Sequence, residues 1–202
     1  MKRLFPILLI GLAGCIVQSF HPFYTDKSKV AVPQLNGEWD AVTAFGEKVD
    51  ATNVPPWRIS DNEIVVYDDD SLSSRIHVTF FKLGKTLFCD SIPSNNDNGT
   101  NDVKVPSYCA WHLRSVHTVT KVETNANSLT FIPLDLGWLT NRIAMGKVAL
   151  PHLARSEDDN WPLFTAKSAE WEKFLTEYAN ATNAFPTNHV YVLKRHTSIP
   201  AK

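Results

Sequence analysis

The chain has no surplus of positive charge. In 202 residues, 20 Lys+Arg stand against 21 Asp+Glu, and the basic residues form no patch. Nucleic acid is therefore not an expected partner. Beyond the first residues, no apolar run is long enough to cross a bilayer. There is no glycine-rich phosphate loop, no His-Glu-x-x-His and no Gly-x-Ser-x-Gly, so none of these motifs points to a cofactor or a nucleophile. The 7 histidines are scattered. His112 and His117 would fall on opposite faces of a regular strand, a bulge would align them, and a metal site would still need a third ligand. The acids and amides of 94–102 do not follow the alternate-position pattern of a calcium loop. No metal, cofactor or catalytic residue is assigned. A triad assembled from distant residues leaves no mark on a linear sequence, so an enzyme stays as the third-ranked reading.

What is present is a run of short strands. Trp57–Ser60 and Glu63–Tyr67 flank the turn Asp61-Asn62, and Arg75–Leu83 and Thr86–Ser91 flank Gly84-Lys85. Ile76, Val78 and Phe80 alternate with His77, Thr79 and Phe81, as a strand with one buried face requires. Ile64, Val66 and Leu87 extend the same inward set. Gly37–Phe45, Ser128–Ile132 and His189–His196 read as further strands, as do Val148–Ala154 and its expected partner Trp161–Thr165. Tyr108–Glu123 reads as a long one with a bend near Ser115, where the apolar parity changes. Two helices are expected. Asp135 caps one that runs to Ala144, with Gly146 placed to end it. The other spans Ser168–Ala181, where Trp171, Phe174, Leu175 and Tyr178 form a stripe that packs on the sheet. The fold class is mainly β, α+β by count: an antiparallel meander that can close into a barrel, with a C-terminal helix against it.

The first residues supply an address. Met1-Lys2-Arg3 is basic, residues 4–12 are apolar but short for a membrane span, and Leu12-Ala13-Gly14-Cys15 follows. This order resembles the lipobox signal of bacterial lipoproteins. The resemblance implies cleavage before Cys15 and a lipid on that cysteine, hence a membrane partner and an extracytoplasmic place in the cell envelope, periplasmic or at the cell surface. The expected organisation is a signal peptide over 1–14, a lipid-anchored tether over 15–33 and one β-rich domain over 34–202. The tether is assigned because 16–33 contains proline and shows no period; its aromatics, Phe20, Phe23 and Tyr24, are expected against either the bilayer or the domain. Outside the cytoplasm, Cys89 and Cys109 can pair across the polar loop between them; the alternative is that each is a small buried apolar residue.

Gly37-x-Trp39, opening a domain of meandering strands, resembles the start of lipocalin-like proteins. The resemblance implies a barrel with Trp39 closing one end, an arginine stacked on it, for which Arg195 on the last strand is the candidate, and an interior that takes an apolar ligand. The expected ligand-facing residues are then Ile64, Val66, Ile76, Val78, Phe80 and Leu87. The departures from the lipocalin pattern are the helix inserted at 135–144 and the strand after the long helix. Two main readings follow: a lipoprotein binding a small apolar or amphipathic ligand, or an envelope interaction or assembly protein with no cavity, its protein partner unidentified. An enclosed empty volume favours the first, and a filled core with an exposed apolar patch the second.

Overall fold

The computed structural model describes residues 16–44, 46–49, 54–67, 73–94, 115–153 and 162–197. In chain order its strands are β1 (Gln18–Ser19), β2 (Gly37–Ala44), β3 (Glu47–Lys48), β4 (Trp57–Ile59), β5 (Glu63–Tyr67), β6 (Ser73–Leu83), β7 (Thr86–Pro93), β8 (His117–Thr124), β9 (Ser128–Pro133), β10 (His152–Leu153), β11 (Leu163–Phe164) and β12 (Tyr191–Arg195). Helix α1 spans Leu136–Ala144 and α2 spans Ser168–Tyr178. Eight of the strands close a barrel in the order β8-β7-β6-β5-β4-β2-β12-β9, shut by the β8–β9 pairing, and every neighbouring pair is antiparallel. Closure removes the sheet edges that an open meander would leave exposed. A short ribbon, β10-β11-β1, continues from β8 outside the closed ring.

Alternation divides the apolar residues between the two sides of the wall. Trp39, Ile59, Ile64, Val78, Phe80, Cys89, Val122, Leu129, Phe131 and Leu193 are buried in one inner cluster. Phe81, Phe88, Val119 and Ile132, one residue out of phase, belong to an outer cluster with Trp171, Phe174 and Leu175 of α2 and Leu136 and Leu139 of α1. The stripe on Ser168–Tyr178 thus packs on the outside of the barrel. Asp135 caps α1 by accepting from the Trp138 amide at 2.6 Å, and Gly146 ends the region at φ 67°.

Three expectations change. Residues 16–33 are not a free tether: Val17 and Phe23 are fully buried, β1 pairs with both β8 and β11, and Lys29 bridges to Phe81. The segment shows no period because its successive residues meet different elements rather than one surface. In the expected strand over 148–154, only His152–Leu153 pairs; Val148 and Leu150 are buried in the outer cluster without joining a ladder. Of the expected strand 108–123, the described part is strand only from His117, with Ser115 and Val116 outside it. The start of that segment, and with it His112 and Cys109, lies outside the described residues, as do Cys15 and the signal stretch.

Candidate functional site

The barrel has a sealed base. Trp39 is fully buried and its Nε1 donates to the Leu35 carbonyl at 2.9 Å, tying it to the 3-10 turn Pro33–Leu35 that precedes β2. Arg195, directly opposite Trp39 in the β12–β2 ladder, lays its guanidinium 4.0 Å from the Trp39 ring centre. The same guanidinium donates to the carbonyls of Asn36 and Gln34 at 2.8 and 2.7 Å. One planar cation therefore covers the aromatic face and stitches the turn to the last strand. Gly37 stands at φ 126°, and a Cβ there would meet Arg195 Nη1 at 2.9 Å, so both the backbone angle and the close approach require glycine.

Above this base the lumen is packed. Ile59, Val78, Phe80, Cys89, Leu129 and Leu193 all have at most 2% of their surface exposed. Side chains lining an empty ligand-sized volume would retain accessible surface, so the middle of the barrel is filled by its own residues. Burial pushes the Cys89 thiol far above the usual thiol range, with the Asp90 charge adding to it.

The far end is different. Trp57, Val66, Ile76 and Tyr191 face the same lumen but are only half-buried. The rings of Trp57 and Tyr191 lie 5.8 Å apart. Ser91 and Thr118, in phase with Cys89 and Val122, pair their hydroxyl oxygens at 2.8 Å on this part of the wall. Burial pushes the Tyr191 phenol up, so it stays uncharged at neutral pH. The far end thus combines an apolar ring with a few uncharged polar groups, the usual dress of a site for an apolar or amphipathic molecule.

The six residues expected to face a ligand all join the inner cluster with Trp39. They do not share one environment: Ile64, Val78 and Phe80 are buried in the packed middle, Val66 and Ile76 stand half-buried at the far end, and Leu87 is half-buried near the base. Trp57 and Tyr191 were not singled out from the sequence. Trp57 begins a strand only three residues long and Tyr191 sits beside a register shift, so neither has a long alternation to mark its face.

A second polar site lies outside the wall. His117 Nδ1 donates to Asp90 Oδ1 at 2.7 Å, and Asp90 Oδ2 accepts from the Phe23 amide at 2.9 Å. Asp90 is 3% exposed, yet both its oxygens are used. Next to it, Ser19, also fully buried, accepts from Trp171 Nε1 at 3.0 Å and from the His21 amide at 3.2 Å. These bonds dock the N-terminal segment on the barrel and on α2. Among the described residues no group of three His, Cys, Asp or Glu side chains is placed to hold a metal ion. Two solvent-open hollows, of about 260 and 180 Å³, lie on the outer layer, one beside Val148, Leu150 and Phe174, the other beside Ile132 and Phe185.

A closed eight-stranded antiparallel barrel is consistent with a lipocalin-like fold, and the tryptophan–arginine stack at its base adds to that likeness. Compared with known proteins, the chain matches no family model, no curated protein and no solved structure.

Proposed function

We propose that the protein is a lipid-anchored, extracytoplasmic protein of the bacterial cell envelope, with a lipocalin-like barrel that takes a small apolar or amphipathic ligand at the end away from Trp39. The observation that carries the ligand reading is the half-buried ring of Trp57, Val66, Ile76 and Tyr191 above a packed lumen. The anchoring reading rests on the order of basic start, apolar run and Leu12-Ala13-Gly14-Cys15. The site is a shallow mouth rather than a deep calyx, because Phe80 and Val78 fill the volume below it. A single apolar fluorescent probe, phenylnaphthylamine, should bind saturably at one per chain, and Ile76→Glu should abolish binding while the melting temperature holds. Absence of saturable binding to the unaltered protein overturns the ligand reading.

The second reading is an envelope interaction protein with no ligand cavity. Two observations favour it: the packed middle of the barrel, and an exposed apolar face on the ribbon outside it.

A further inference from the structure

The ribbon β10-β11-β1 has two unlike faces. The inner face carries Val17, Ser19, Phe164, Ala166 and Leu150, all buried. The register aligns Gln18, Leu163 and Leu153 across the three strands, all on the opposite side. The next residues in phase are Phe20 and Thr165, which donate their own amides across the ribbon, Phe20 N to Phe164 O at 2.9 Å and Thr165 N to Pro151 O at 2.8 Å. The outer face is thus Ile16, Phe20, Leu163, Leu153 and Pro151, with Gln18 and Thr165 the polar members. Leu153 is 55% and Phe20 41% exposed, and among the described residues only Met145, at 63%, joins them as an exposed large apolar side chain. Two of three such residues on one small ribbon is a concentrated patch, which on a soluble surface calls for a partner.

The start of the described chain identifies the partner. Ile16 is fixed to the domain by a bridge to Asp135, and Val17 is fully buried. Cys15 is the preceding residue, one Cα–Cα step of about 3.8 Å away. A lipid on Cys15 would therefore enter the bilayer beside the ribbon, with no slack chain to let the domain drift off. We propose that the outer face of this ribbon, with Phe20 and Leu153 its most exposed apolar members, rests on the membrane that holds the Cys15 lipid and sets the orientation of the barrel on it. This rests on the lipoprotein reading.

The test uses the full processed chain, labelled with radioactive fatty acid during expression and placed in phosphatidylethanolamine–phosphatidylglycerol vesicles containing a nitroxide lipid. With Cys109→Ser in place and Cys89 buried in the barrel, an environment-sensitive fluorophore is attached at Leu153→Cys, and in a control at Lys194→Cys on the barrel wall. The expected result is a blue-shifted emission at 153 that the nitroxide lipid quenches strongly, with aqueous, unquenched emission at 194. Phe20→Cys is the second position and should behave as 153 does. Fatty acid on Cys15 together with aqueous emission at both 153 and 20 overturns the orientation alone and leaves the anchor standing. No fatty acid on the chain overturns both. Shielding at 153 that persists in detergent-solubilised dimers without vesicles assigns the face to a second copy of the chain, and also overturns the proposal.

Discussion

Two apolar layers share the wall of this barrel, and they are built on different rules. The inner one is periodic: antiparallel neighbours around the barrel deliver Ile64, Val78, Phe80, Cys89, Val122 and Leu129 to one lumen by alternation alone. The outer one is assembled from afar. Val17 and Phe23 from the N-terminal segment, Phe81, Phe88 and Val119 from the wall, Leu136 and Leu139 from α1, and Trp171, Phe174 and Leu175 from α2 meet only once the barrel exists. The inner layer therefore specifies the barrel, while the outer layer fixes what is laid over it.

The comparison predicts the largest losses outside. Trp171 is fully buried, packs its ring against Phe23 at 4.5 Å and Phe164 at 5.3 Å, and donates to Ser19. Trp171→Ala should cost about 3–5 kcal/mol, measured by chemical denaturation, and should loosen residues 16–25 before the barrel opens. A loss no greater than that of an exposed position would mean the outer layer contributes little and the barrel stands alone.

Inside, the expected penalty is overpacking. Phe80→Trp should destabilise by about 1–3 kcal/mol because the middle of the lumen has no room for a larger ring. At the far end, Val66→Trp should cost less than Phe80→Trp and should compete with the apolar probe. If Phe80→Trp is neutral, the lumen is emptier than its burial implies.

Asp90 tests the polar joint between the layers. Asp90→Ala leaves the Phe23 amide and the His117 ring nitrogen without their partner in a buried place, and should cost about 1–3 kcal/mol. The hydrogen-exchange protection of Phe23 should fall with it. Unchanged protection at Phe23 would show that apolar packing alone holds the segment.

This division also explains what was legible in the sequence. Alternation over Arg75–Leu83, most of the longest strand, put Ile76, Val78 and Phe80 on one face, and that face joins the inner cluster because one strand has one inner face. Trp39 and Arg195 were paired through the lipocalin resemblance, and the register sets them opposite each other. Asp135 and Gly146 announced α1 because cap chemistry is local. Which groups hold 16–33 was not legible, since its partners lie far along the chain: Phe23 bonds to Asp90, 67 residues on, and Thr25 to Glu172, 147 residues on. Nor was the burial of Val148 and Leu150 evidence of a strand, because packing on a helix asks for no ladder.

The smallest expected effect is at the outermost attachment of that segment. Glu172 lies near the N-terminal end of α2, where a negative charge favours the helix dipole. Its Oε1 also accepts from the Thr25 amide at 2.7 Å, the Thr25 hydroxyl at 2.9 Å and the Ser28 hydroxyl at 2.6 Å. Partial desolvation pushes its carboxyl up, but the Ser28 and Thr25 bonds and the Lys27 charge together outweigh that and hold it below the ordinary glutamate value of 4.5. A carboxyl lowered in the folded state stabilises above its unfolded value and loses that stabilisation as pH falls through its folded one. The contribution should therefore be whole at neutral pH and vanish at a pH below about 4.5. Because the group is only half-buried, solvent screens it and the effect on global stability should be slight, and a local probe is the right readout. The Thr25 amide chemical shift should titrate with a midpoint below 4.5 in the unaltered protein and stay flat across that range in Glu172→Gln. A midpoint at or above the ordinary glutamate value would mean that Glu172 does not hold the segment, and would leave Asp90 and the buried Phe23 as its attachment to the barrel.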